Sequence, residues 1–127
     1  MRTIQFEGKK HRIFRISPSF GYHRAQDVIC VERSYESGGS LAIELLCVDN
    51  DVVTEPYAIL TVNLDYYSGW NVQTDKRAYV DDNNNGSWGC LDFIEENKLG
   101  EPTGIMTPSG FCLYPLYEFD TKKFYAD

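Results

Sequence analysis

Eight consecutive residues, Leu41 to Val48, are apolar except for Glu44. A strand with one solvated face alternates apolar and polar side chains, because successive side chains point to opposite faces. A nearly unbroken apolar run instead needs apolar cover on both faces, as in a central strand. The run is too short for a membrane span and lies between two turn signals, Ser37-Gly38-Gly39-Ser40 and Asp49-Asn50-Asp51. This chain therefore has to build layers around a sheet.

The flanking sequence supplies more strands. Ile4 and Phe6 lead into Glu7-Gly8-Lys9-Lys10, followed by Ile13, Phe14 and Ile16, which reads as two strands around a tight turn. Ser17-Pro18-Ser19-Phe20-Gly21 is a loop signal, and Val28-Ile29-Cys30-Val31 is another strand-length run. From Tyr57 to Leu64, period two puts Ala58, Leu60, Val62 and Leu64 on one face, the better core face. Ala78-Tyr79-Val80 is a short strand. From Phe111 to Phe119, the residues Phe111, Leu113, Tyr117 and Phe119 share a face, and Pro115 marks an edge or a bulge because it has no N–H.

One segment has helical period. Trp88, Leu91 and Ile94, with Cys90 and Phe93, form an apolar stripe. The expected helix spans about residues 88–99, with Asn85 or Ser87 as its cap, Gly100 at its left-handed end and Pro102 beyond. The expected fold class is α+β: an antiparallel-dominated β-sheet of about five to seven strands with this one main helix packed on it, in a single domain over residues 1–127. Seven Phe, nine Tyr and two Trp suit such half-buried sheet surfaces.

Charge and cysteine usage narrow the partners. The formal charge is −7. That field disfavours direct nucleic-acid binding and anionic membranes, leaving Lys9, Lys10, Arg12 and Arg15 as the one basic cluster. Cys30, Cys47, Cys90 and Cys112 form no C-x-x-C pair, and His11 and His23 lie at no ligand spacing from them, so neither a zinc site nor another cofactor is expected. Without an export signal or a long apolar stretch, a soluble cytoplasmic protein with reduced thiols is expected.

Three segments taken together carry a resemblance. They are Glu55-Pro56-Tyr57-Ala58 with Leu60-Thr61-Val62-Asn63-Leu64, Phe93-Ile94-Glu95-Glu96-Asn97 with Leu99-Gly100-Glu101-Pro102-Thr103-Gly104, and Ser109-Gly110-Phe111-Cys112 with Tyr114-Pro115-Leu116-Tyr117. In order and spacing over residues 40–119 they resemble a domain family of unknown function carried on conjugative and other mobile genetic elements of gut-type bacteria. The opening hairpin resembles the family's start. The resemblance implies an α+β fold and a mobile-element setting, and it brings no catalytic residues. The chain departs from the family pattern at Ser87, where the family tends to have Pro, and the stretch 22–36 looks like an expansion.

Among motifs with a chemistry, Asp81-x-Asn83-x-Asn85-Gly86-x5-Asp92 comes nearest to a template, that of a calcium loop with Asp at its last position. The competing and favoured reading is a turn rich in Asn because Asn tolerates left-handed backbone and caps helices. Cys112 and Cys90 are candidate nucleophiles without a neighbouring base in sequence; core cysteine is the competing reading. The pairs Asp49/Asp51, Asp81/Asp82 and Glu95/Glu96 offer carboxylates but no apolar pocket legible in sequence. Tyr66, Tyr67 and Trp70 are the candidate partner-binding residues, since Tyr and Trp dominate interface hot spots. The expected activity is binding of a partner protein, with a host defence nuclease as the candidate (anti-CRISPR or anti-restriction type). A small enzyme and a nucleic-acid-binding accessory protein are the alternatives.

Overall fold

The computed structural model describes residues 2–17, 24–36, 39–64 and 76–126. Among them are ten strands: β1 (Thr3–Phe6), β2 (Lys9–Arg12), β3 (Phe14–Ile16), β4 (Gln26–Ser34), β5 (Leu41–Asp49), β6 (Val52–Ile59), β7 (Thr61–Val62), β8 (Arg77–Val80), β9 (Gly100–Ser109) and β10 (Cys112–Phe119). The helices are short: α1 (Asp82–Asn85), a 3-10 turn (Gly86–Trp88), α2 (Cys90–Glu96) and a 3-10 turn near the end (Thr121–Phe124).

The strands form three antiparallel sheets, not one: β1–β2, then β3–β4–β5–β6, then β7–β8–β10–β9. The opening run holds three strands where two were expected. Glu7 and Gly8 both have positive φ, which closes a two-residue hairpin, and Ile13 then releases the chain into the next sheet. The Tyr57–Leu64 strand is likewise divided. Buried Leu60 links the two large sheets, its N–H bonding Ile43 O and its C=O accepting from Asp81 N.

The run that began the argument is β5, and it is covered on both faces. Leu41, Ile43 and Leu45 join Val28 and Cys30 of β4 in the main core, which also takes Leu60, Ala78, Val80, Trp88, Cys90, Phe93, Ile94, Phe119 and Phe124. Leu46 and Val48 point the other way, with Ile29 and Val31, under Ile4 and Phe6 of the β1–β2 hairpin. β4 fills much of the stretch that looked like an expansion. It is integral to the core, because its two faces feed two different clusters.

The single long helix is replaced by two short ones. Gly89 adopts φ +82°, which interrupts the helix after Trp88. The end of α2 is not at Gly100 either. Lys98 takes the left-handed position (φ +53°), its N–H bonds Glu95 O, and Leu99 N–H bonds Ile94 O. That is a Schellman ending, with Leu99 and Ile94 sharing the core. Gly100 opens β9, where an added Cβ would sit 2.9 Å from Glu118 O, so its glycine serves close approach of two strands.

Candidate functional site: the β9–β10 hairpin

β9 and β10 pair from Gly100↔Phe119 to Ser109↔Cys112, and Gly110 (φ +62°) with Phe111 makes the turn. Their register shifts between Pro115 and Tyr117, where β9 carries extra residues opposite Leu116. Thr103 bridges the irregularity: its Oγ1 donates to Leu116 O at 3.0 Å and accepts from Ile105 N at 3.2 Å. Pro115 therefore lies beside a bulge but not at an edge, since β10 is flanked by β8 and β9. β9 is the edge, and Pro102 and Pro108 in it have no N–H to offer another strand.

The hairpin outruns the core. At its base, Tyr117 and Phe119 pack against the main cluster. By strand alternation Leu113 and Pro115 share that face, and their partners Pro108 and Met106 stand beside them. Toward the tip nothing among the described residues covers this face. Phe111 is wholly exposed, Leu113 61% and Met106 51% exposed; Ile105, in the unpaired stretch of β9, is 45% exposed. The opposite face is anchored: Tyr114 and Leu116 pack on Tyr79, whose hydroxyl lies 2.8 Å from Thr107 Oγ1. A rigid base thus presents a bare apolar tip. An open groove of about 1070 Å³ runs along the base, rimmed by Glu95, Glu101, Glu118 and Asp120 against Lys98 and Lys123. The sequence pattern placed Phe111 and Leu113 on one face with Tyr117 and Phe119, and alternation does not reveal where a core ends.

The candidate partner-binding residues Tyr66, Tyr67 and Trp70 lie outside the described residues. The calcium-template residues are placed differently from a metal loop. Asp81 caps α1, accepting from Asn84 N at 3.2 Å and Asn84 Nδ2 at 2.8 Å. Asn85 is buried and spends its amide on Ile59 O, Asp81 O and the Trp88 indole. Asn83 and Asp92 are exposed. Among the described residues no group of three or more His, Cys, Asp or Glu side chains is arranged to hold a metal ion.

Two of the thiols, Cys90 and Cys30, are set against nucleophilic chemistry. All four are free. Burial pushes the Cys90 thiol up to about 12, and the Asp82 carboxylate, 3.4 Å from its Sγ, pushes the same way. Burial alone raises Cys30. Much of the basic cluster is engaged: Arg15 with Asp27 at 2.9 Å, Arg12 Nε on Tyr125 O at 2.9 Å, and Lys9 Nζ 4.7 Å above the Tyr125 ring. Two arginines, Arg2 and Arg15, hold the Asp27 carboxyl below its ordinary value. No described helix is long and apolar enough to cross a membrane.

No curated protein and no solved structure matches the chain. A family model does, from residue 30 within β4 to residue 126, covering the end of β4, β5–β10 and the helices but not β1–β3. The chain belongs to the family described as a domain of unknown function, DUF4313.

Proposed function

We propose that this protein acts without catalysis, by seating the tip of its β9–β10 hairpin on a partner protein. The observation that carries the reading is the bare tip: Phe111 and Leu113, with Met106 behind them, expose large apolar surface on a hairpin whose base is fixed in the core. A patch of a few hundred Å² is what protein contact sites commonly show. The prolines of β9 weigh against capture by strand addition, so side chains make the contact.

The partner's chemistry follows from charge. Four carboxylates against two lysines rim the hairpin's base, and the chain carries −7 overall, so the surface that fits it is apolar with basic surroundings. A nuclease presents such a surface along its nucleic-acid channel. In its finer form the proposal is an accessory protein of a mobile element that disarms a host defence nuclease, of anti-CRISPR or anti-restriction type. The resemblance to mobile-element proteins and this charge match support it.

The test is binding to a purified panel of CRISPR effectors and restriction endonucleases, with Phe111→Ser/Leu113→Ser beside the wild type. Salt-sensitive binding of the wild type to a panel member, lost in the double variant, is the expected result. Binding to none of the panel, or binding equally strong in the variant, would overturn the proposal.

A further inference from the structure

His11 is 2% exposed and stands where three parts of the chain meet. Its Nδ1 lies 3.0 Å from Cys30 O on β4. Its ring meets Phe6 of β1 edge-on at 6.0 Å and Tyr125 at 5.0 Å. The C-terminal tail continues the small sheet: His11 bridges to Tyr125, Ala126 N–H bonds Lys10 O at 2.9 Å, and Arg12 Nε bonds Tyr125 O. Beneath lie Ile29, Val31, Leu46 and Val48, the outer face of the β3–β6 sheet.

We propose that the β1–β2 hairpin, which covers that outer face, and the C-terminal tail, whose Phe124 and Tyr125 pack on the main core, form one latch, and that protonation of His11 opens it.

The groups facing His11 leave its charge poorly balanced. From β4, Glu32 is already bound by Tyr125 OH and by Lys76 Nζ, each at 2.7 Å, and the Cys30 thiol is neutral. From the tail, Tyr125 presents a phenol whose ionisation is pushed upward by burial. From the turn, Glu7 is held by Arg33 of β4. From β2 itself come Lys9 over the Tyr125 ring and Arg12, both cationic. Burial draws the imidazole below its ordinary 6.5, and Lys9 adds to this; the Cys30 and Phe6 carbonyls and Glu7 oppose without reversing it. A base with a depressed folded pKa gives stability that is whole above its unfolded value and falls as pH drops below it. The latch is therefore closed at neutral pH and loosens below about 6.5.

Amide hydrogen exchange at pH 7.5 and 5.0, corrected for intrinsic rates, reads the latch directly. Protection at Ile4, His11 and Ile13, whose N–H groups face the hairpin partner, and at Ala126 is expected to fall at pH 5.0 by up to about 30-fold, the ceiling set by 1.5 pH units below the free imidazole. Protection at Ile43 and Leu45 in β5 is expected to hold. His11→Phe removes the titration and His11→Asn keeps a donor toward Cys30 O; either is expected to give pH-independent latch protection, and His23→Asn to behave as wild type. Equal latch protection at both pH values in the wild type would overturn the proposal, as would the same loss in a His11 variant that folds. An NMR titration placing the His11 ring at or above 6.5 would overturn it independently.

Discussion

Trp88 Nε1 donates to Asn85 Oδ1 at 3.0 Å inside the protein, and Asn85 Nδ2 in turn donates to Ile59 O at 2.9 Å and Asp81 O at 3.0 Å. One amide thus ties the indole at the end of the 3-10 turn to the end of β6 and to the residue that caps α1. Removing it leaves a buried indole N–H and two carbonyls without this partner. Asn85→Ala is expected to cost roughly 2–3 kcal/mol, the upper part of what unsatisfied buried groups cost, measured by denaturant melts. Because that amide is already spent within the fold, calcium is expected to leave the wild-type melting temperature unchanged. A calcium-dependent rise would mean that the turn rearranges around the ion.

The end of α2 separates two roles that sequence alone conflates. Lys98 holds φ +53° with a side chain that disfavours it, so Lys98→Gly is expected to stabilise by about 0.5–1 kcal/mol. Gly100→Ala is expected to destabilise, since its Cβ would meet the Glu118 carbonyl at 2.9 Å. Thermal melts of the two variants should move in opposite directions. If Gly100 were the helix cap, Gly100→Ala alone would carry the loss and Lys98→Gly would gain nothing.

Within α2 the burial is uneven. Ile94 is fully buried, Leu91 half-buried at the rim of the core, and Asp92 exposed. Ile94→Ala is expected to cost about 2–5 kcal/mol, Leu91→Ala clearly less, and Asp92→Ala only a few tenths, the scale of a surface substitution. Chemical denaturation of the three variants checks the order.

Thiol labelling should follow burial and not sequence position. Cys112 is half-buried on the hairpin, while Cys30, Cys47 and Cys90 are buried. At pH 8 a maleimide is expected to modify Cys112 first, with Cys90 protected by its thiol pKa of about 12. Cys90 reacting first would show that its helix opens readily.

Several elements were legible because their signal is local. The Leu41–Val48 run announced a strand buried on both faces, and the turns at Glu7-Gly8 and Asn50-Asp51 fall at tight hairpins with positive φ. The single-sheet and single-helix expectation failed on long-range events. A period-two pattern runs unbroken through Leu60, yet the chain changes sheets there, because Leu60 bonds Ile43 on one side and Asp81 on the other. Helical spacing likewise runs through Gly89, whose left-handed backbone divides the helix. The candidate site was half legible. Phe111 and Leu113 were seen as one apolar face with Tyr117 and Phe119; that the first two overhang the core depends on packing, which spacing does not encode.

The central claim, that the hairpin tip is the working surface, is tested most directly by a plasmid-protection assay in cells carrying the targeted defence nuclease. Phe111→Ser/Leu113→Ser changes exposed residues, so its melting temperature is expected to stay within about a degree of wild type, since such sites contribute little to stability. Wild type is expected to protect an incoming plasmid and the folded double variant to lose that protection. Full protection by the folded variant would contradict the account.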